Sequence, residues 1–179
     1  MKMFITGGIS SGKSAFAEEA ALGLYSEGCS LHFFATARDL RLDNEMVLKI
    51  KRHKEKRSPL FKVHENFEDL NEEIKLVSKG LYPGVTIILI DSLTMWLSSV
   101  FGSSDEFETA EKKISALINT IKEIELSVIA VSDSLGLFPV PVDPYLRGFI
   151  ELNGVLEQGI SGICDKSFLV VAGKGIALK

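Results

Sequence analysis

Apolar residues along this chain come in short unbroken runs, separated by stretches whose apolar positions recur every three or four residues. The unbroken runs predict strands at 3–6, 31–36, 61–65, 85–90 and 127–132, of which Val-Thr-Ile-Ile-Leu-Ile at 85–90 is the clearest. The periodic stretches predict helices at 13–26, with Phe16, Ala20 and Leu24 on one face, at 43–57 behind Asp43 as N-cap, at 68–79 and at 92–101. The clearest amphipathic helix is expected at 105–126, where Phe107, Ala110, Ile114, Leu117, Ile118 and Ile121 share a face. Pro59 ends the second helix, and a proline-rich loop at 139–144 precedes a helix that starts at Pro144 behind Asp143 and runs to about 161. Strands near 167–171 and 175–178 predict a closing hairpin over Gly173-Lys174. Strands without alternation are buried on both faces, so the expected architecture is a single α/β domain over 1–179 with a mostly parallel sheet between helices.

Between the first strand and the first helix stands Gly7-Gly8-Ile9-Ser10-Ser11-Gly12-Lys13-Ser14. This is the phosphate-binding pattern G-x-x-x-x-G-K-[ST] in its required setting of strand, loop and helix. Glycines let successive amides turn inward toward phosphate oxygens, and the helix that follows presents its positive end to the same anion. Lys13 is expected on the outer phosphates of ATP or GTP, and the Ser14 hydroxyl on Mg²⁺. Asp91, at the end of the 85–90 run, is the expected acid for Mg²⁺ and also a plausible cap for the helix after it.

Composition narrows the partners. A net charge of −4 argues against a general nucleic-acid binder. No apolar run is long enough to span a bilayer, and strand and loop begin at once without a leader, so the expected location is the cytoplasm. Cys29 and Cys164 have neither metal-ligand spacing nor a disulfide framework. Against the acidic background, residues 49–57 (Lys-Ile-Lys-Arg-His-Lys-Glu-Lys-Arg) are strongly basic. Met46, Ile50, His53 and Arg57 fall on one helical stripe, so His53 continues an inward-facing row while lysines surround it. An imidazole held in that positive field suits an anionic ligand. His32 reads as a strand residue and His64 as an edge or loop residue, without a role.

Taken together, these segments resemble the bifunctional adenosylcobinamide kinase / adenosylcobinamide-phosphate guanylyltransferase family of cobalamin assembly. The resemblance runs from Thr6-Gly7-Gly8…Ser11-Gly12-Lys13-Ser14 through Ala35-Thr36-Ala37, Asp43-Asn44-Glu45-Met46, Ile50, His53-Lys54 and Arg57. It continues in Asp91-Ser92-Leu93-Thr94-Met95-Trp96-Leu97, Leu169-Val170-Val171-Ala172-Gly173 and the closing Leu178-Lys179. It implies a RecA-like nucleotide-binding fold, a homotrimer, and two reactions. The first phosphorylates the aminopropanol hydroxyl of adenosylcobinamide with ATP or GTP. The second transfers GMP from GTP to that phosphate through a covalent guanylyl-histidine, matched by His53, and Arg57 joins the nucleotide-binding set. The corrinoid is then the second substrate.

The chain departs from the family pattern at Ser10 (usually Arg), at Asp133-Ser134 (usually Asn-Glu), at Phe138 (usually Gly), and in keeping Arg147 alone of the later arginines. Ser134 is too short to orient a metal, a base or a substrate hydroxyl as a glutamate can, so the kinase step is expected to be weak relative to the family. The alternative reading is a phosphate-loop small-molecule kinase without guanylyl transfer. A GTP-dependent switch is disfavoured: Asp133-Ser134-Leu135-Gly136 fits D-x-x-G, but no guanine-reading Asn-Lys-x-Asp follows.

Overall fold

The most apolar run forms β4 (Thr86–Asp91), whose interior residues Ile87, Ile88, Leu89 and Ile90 are all essentially inaccessible. A strand buried on both faces must lie inside a sheet covered by helices on both sides. That is what the computed structural model of the protein contains. It describes residues 1–37, 51, 54, 55, 57–80, 85–101, 107–137 and 139–179. In chain order the elements are β1 (Lys2–Gly7), α1 (Lys13–Leu24), β2 (Ser30–Ala35), β3 (Phe61–His64), α2 (Leu70–Ser78), β4, α3 (Leu93–Phe101), α4 (Phe107–Glu123), β5 (Ser127–Asp133), α5 (Pro144–Ile163), β6 (Lys166–Val171) and β7 (Lys174–Ala177). A short 3₁₀ turn at Leu135–Leu137 follows β5.

The strands form a seven-stranded sheet in the order β3-β2-β4-β5-β1-β6-β7. Every neighbouring pair is parallel except β6 with β7. The mostly parallel sheet and the closing hairpin expected from the sequence are therefore found, with the turn at Ala172-Gly173, one residue earlier than expected. Both turn residues have positive φ, 50° and 76°.

Side chains alternate across the sheet into two cores. On one face Met3, Ile5, Phe33, Leu89, Ile129 and Val131 pack against α1 through Ala17 and Ala21. The expected stripe of α1 is thus shifted: the fully buried positions are Ala17 and Ala21, while Phe16, Ala20 and Leu24 flank them. Alanines on the inner line let α1 approach the strands closely, which matters for the loop at its head. On the other face Phe4, Phe34, Ile88, Ile90 and Ala130 meet α2, α3, α4 and α5. On α4 the expected positions Ala110, Ile114, Leu117 and Ile121 are buried, and Phe107 and Ile118 pack at the margin. Each fully buried Leu, Ile or Phe contributes about 1.5–3 kcal/mol. Asp143 caps α5 by accepting from Tyr145 N at 2.8 Å, as Pro144 predicts, and Asp69 caps α2 through Asn71 N and Glu72 N. The helix expected at 43–57 and its Asp43 cap fall largely outside the described residues.

Two histidines given no role by the sequence form a partly buried chain. His32 Nδ1 lies 2.8 Å from His64 Nε2, and His64 Nδ1 lies 2.8 Å from Glu73 Oε1. The His64 ring stacks on Phe34 at 4.6 Å. His32 is completely inaccessible, and burial first, then the His64 and Lys62 charges, lowers its pKa to about 4. The unfolded chain, with a histidine near ~6.5, binds the extra proton between these limits, so unfolding is favoured as pH falls through that window. Denaturant titrations should show stability falling from pH 6.5 toward 4 by an amount on the order of 1–3 kcal/mol. His32→Asn should flatten that slope. An equal slope in the variant removes His32 as its source.

Candidate active site

Parallel pairing sets β1 between β5 and β6, with Gly7 level with Asp133 on one side and Val170 on the other. The loop that leaves β1 therefore emerges between two strand ends, where α/β sheets bind ligands. Steric demand explains its first and last glycines. A Cβ on Gly7 would lie 2.5 Å from Val170 O and 2.7 Å from Ser11 Oγ. Gly12 has φ +94° and its Cβ would meet Gly173 Cα at 2.9 Å. Ser10 also takes positive φ, 58°. Ser11 N donates to Gly8 O at 3.1 Å, and Gly173 N donates to Ser11 O at 2.7 Å, so the β6–β7 turn props the loop from outside. The N-cap of α1 is Gly12, with no side-chain cap, which leaves the first amides of the helix for an anion.

Lys13 opens α1 and is 8% exposed. Its ammonium lies 3.2 Å from Gly8 O and 2.5 Å from Asp133 Oδ1. A lysine held against the mouth of the loop by a carbonyl and a carboxylate is set for a phosphate oxygen, which offers it the same chemistry. Asp133 is itself anchored: its amide donates to Thr94 Oγ1 at 2.7 Å, and its carbonyl accepts from Asn153 Nδ2 at 2.9 Å. Ser134 N donates to Gly7 O at 3.1 Å.

Asp91 is the last residue of β4 rather than the first residue after it, and Leu93 opens α3. Two charges face it. Burial raises the Glu18 pKa, Arg57 opposes the rise, and Asp91 adds to it. Burial lowers the Arg57 pKa, while Glu18, Asp91 and Glu65 hold it up. The Arg57 guanidinium also lies 3.5 Å above the centre of the Phe33 ring, a cation–π contact. Ser14 is one helical turn before Glu18, so the hydroxyl and the carboxylate share a face of α1. Oxygen donors of this kind suit Mg²⁺, which takes one or two carboxylates and completes its shell with phosphates and water. Among the described residues no group of three or more His, Cys, Asp or Glu side chains could hold a metal by itself.

Of the expected site residues, Gly7, Gly8, Ile9, Ser10, Ser11, Gly12, Lys13 and Ser14 form one continuous loop and helix head. Arg57 and Asp91 come together beside it, and His53 lies outside the described residues. The sequence reading missed Asp133 as the partner of Lys13, Glu18, and the Phe33 platform under Arg57. Glu18 was recoverable, since it stands four positions after Ser14; the Asp133 pairing needed the strand order.

Comparison with known proteins gives the family. The family described as cobinamide kinase / cobinamide phosphate guanyltransferase matches residues 3–178. The chain belongs to this family. It is 30% identical to the bifunctional adenosylcobalamin biosynthesis protein CobP of Pseudomonas aeruginosa, over all of this chain and 98% of that protein. It is 27% identical to the bifunctional adenosylcobalamin biosynthesis protein CobU of Escherichia coli over the full length of both. Among solved structures, an ATPase domain matches 98% of this chain and 78% of its own with a TM-score of 0.57 at 13% identity, a likeness of fold alone. The fold is the RecA-like phosphate-loop arrangement that the family resemblance implied.

Lys13→Ala removes the one full positive charge within the loop. Triphosphate affinity measured by calorimetry should fall at least about tenfold, since a hydrogen bond to a charged group contributes about 1.5–3 kcal/mol. The circular dichroism spectrum should be unchanged and both reactions of the family abolished. Unchanged affinity in the folded variant removes the loop as the phosphate site.

Proposed function

We propose that this protein phosphorylates adenosylcobinamide with ATP or GTP and then transfers GMP from GTP to the phosphate, giving adenosylcobinamide-GDP and pyrophosphate. The observation that carries the reading is the phosphate loop held between Asp133 and Gly173, in a chain matched end to end by the family. In the first step the loop amides, Lys13 and the α1 amino end hold the triphosphate while the acceptor hydroxyl attacks the γ-phosphorus. Ser14 and Asp91, with Glu18 close by, are the residues that would hold Mg²⁺. The metal supplies charge neutralisation on the phosphates when bound.

In the second step the His53 imidazole attacks the α-phosphorus of GTP and pyrophosphate leaves. An oxygen of adenosylcobinamide phosphate then displaces the histidine. Cations at Lys51, Arg52, Lys54 and Arg57 favour the neutral, nucleophilic ring and offset phosphate charge. Support comes from Arg57, four residues after His53, which is tied to Phe33, Glu18 and Asp91 at the nucleotide site. The other histidines are engaged elsewhere: His32 is buried against His64, and both nitrogens of His64 have partners. The protein acts in the cytoplasm as a homotrimer on a nucleotide and a corrinoid. Among the described residues no helix is long and apolar enough to cross a membrane.

Incubation with GTP labelled at the α-phosphate should leave acid-labile, base-stable label on the denatured protein, as a phosphorus–nitrogen bond requires. His53→Ala should remove the label and keep phosphorylation of adenosylcobinamide. Label that survives in the variant, or maps to His32 or His64, overturns the assignment. Phosphorylation without any label in the wild-type protein leaves a small-molecule kinase.

A further inference from the structure

Directly behind the phosphate loop, at the carboxyl ends of β1 and β5, the face toward α3 and α5 carries a connected set of hydroxyls that ends on a carboxylate. Ser134 Oγ lies 2.7 Å from Thr6 Oγ1, and Thr6 Oγ1 lies 2.6 Å from Glu157 Oε1 of α5. Glu157 accepts a second hydrogen bond from Ser132, whose Oγ is 3.1 Å from Thr94 Oγ1. Donor counting fixes the direction. Thr6 has one hydroxyl proton and gives it to the carboxylate, so Ser134 is the donor to Thr6. Ser134 Oγ keeps lone pairs that can take a proton from a further hydroxyl. The Ser134 amide is tied to Gly7 O, and its neighbour Asp133 holds Lys13, so this end of the chain of hydroxyls lies against the loop where phosphates bind.

A purely structural link between Thr6 and Ser132 would be served by a glutamine. A carboxylate is the costlier choice, because burial raises its pKa and the Asp133 charge raises it further, against the two hydroxyl hydrogen bonds. The charged groups facing it are Asp133 from β5 and, through that residue, Lys13 from α1; β1 and α3 present the uncharged Thr6 and Thr94. A carboxylate with a raised pKa at the end of a hydrogen-bonded path is suited to receive a proton.

We propose that Ser134, Thr6 and Glu157 form the proton relay of the phosphoryl-transfer step. As the acceptor alcohol oxygen forms its bond to the γ-phosphorus, its proton passes to Ser134 Oγ. The Ser134 proton passes to Thr6 Oγ1, and the Thr6 proton to Glu157 Oε1. The bond between the γ-phosphorus and the β–γ bridging oxygen breaks, and the nucleoside diphosphate leaves with the electron pair. Glu157 ends neutral and returns its proton to water after release. Glu157 thus supplies the carboxylate that position 134 lacks, and the kinase step is not weakened by Ser134. The relay rests on the kinase half of the proposed function.

The test is steady-state phosphorylation of adenosylcobinamide by γ-labelled GTP across pH 5–9 in the full chain. Wild-type kcat should fall on the acid side as Glu157 takes up a proton. Glu157→Gln should lower kcat by about 100-fold or more, the usual contribution of a general base, with the KM for GTP unchanged and the acid limb gone. Thr6→Val and Ser134→Ala break the path while keeping the glutamate itself and should give the same loss. Thr6→Ser restores the hydroxyl and should recover most of the rate. GTP binding by calorimetry reports folding in each variant. If Glu157→Gln does not fold, the Thr6 and Ser134 variants decide. Variants that fold, keep kcat within about threefold and keep the acid limb overturn the relay while leaving the kinase standing. A wild-type protein that binds GTP but does not phosphorylate adenosylcobinamide removes the kinase reading and the relay with it.

Discussion

Parallel pairing of β1 with β5 on one side and β6 on the other is the constraint on which the rest of the structure depends. It brings three chain segments, remote in sequence, to one level at the carboxyl edge of the sheet: Gly7, Asp133 and Val170. The loop after β1 then has no freedom of position. Asp133 takes the Lys13 ammonium, Ser134 takes the Gly7 carbonyl, and the turn after β6 presses on Ser11 and Gly12. A phosphate loop depends on amides that are already aimed when the ligand arrives. Here that aim is set by strand register rather than by the loop residues alone.

The two faces of the sheet divide the chemistry. Alternation along β5 sends Asp133 toward Lys13 at the head of α1, and Ser132 toward α3 and α5. The α1 face carries the charged groups Lys13, Glu18, Asp91 and Arg57. The opposite face carries uncharged hydroxyls that end on Glu157. Arg57 is neutralised by the carboxylates around it and rests on Phe33, which lowers the cost of holding a guanidinium at a partly buried position.

Hydrophobic periodicity made the fold legible where burial is complete. Strands such as 85–90 admit no other reading, and α4 followed its apolar stripe closely. On α1 the stripe was displaced because small residues occupy the closest contact line, and periodicity weighs large side chains more than alanines. The hairpin turn slipped by one residue because Ala172 accepts a positive φ that glycine usually supplies. In the candidate site, the loop and Asp91 were legible because their chemistry is tied to a local pattern of strand, glycines and helix. Arg57 was placed on the stripe of His53 by spacing and given to the nucleotide only by family resemblance, and its platform on Phe33 was not legible at all.

What the sequence determined alone are the properties carried by neighbours in the chain: which segments bury both faces, where the phosphate loop starts and stops, and which cations flank His53 in the sequence. The tertiary structure decided which side chains meet across more than a hundred residues. Thr6 and Glu157 are 151 positions apart, and Lys13 reaches Asp133 across the sheet. No periodicity links such pairs, because strand order and register set their distance. A glutamate on an amphipathic helix reads as a solvated residue until the helix is placed. Once α5 packs over β1, the same glutamate becomes a half-buried carboxylate at the end of a path of hydroxyls.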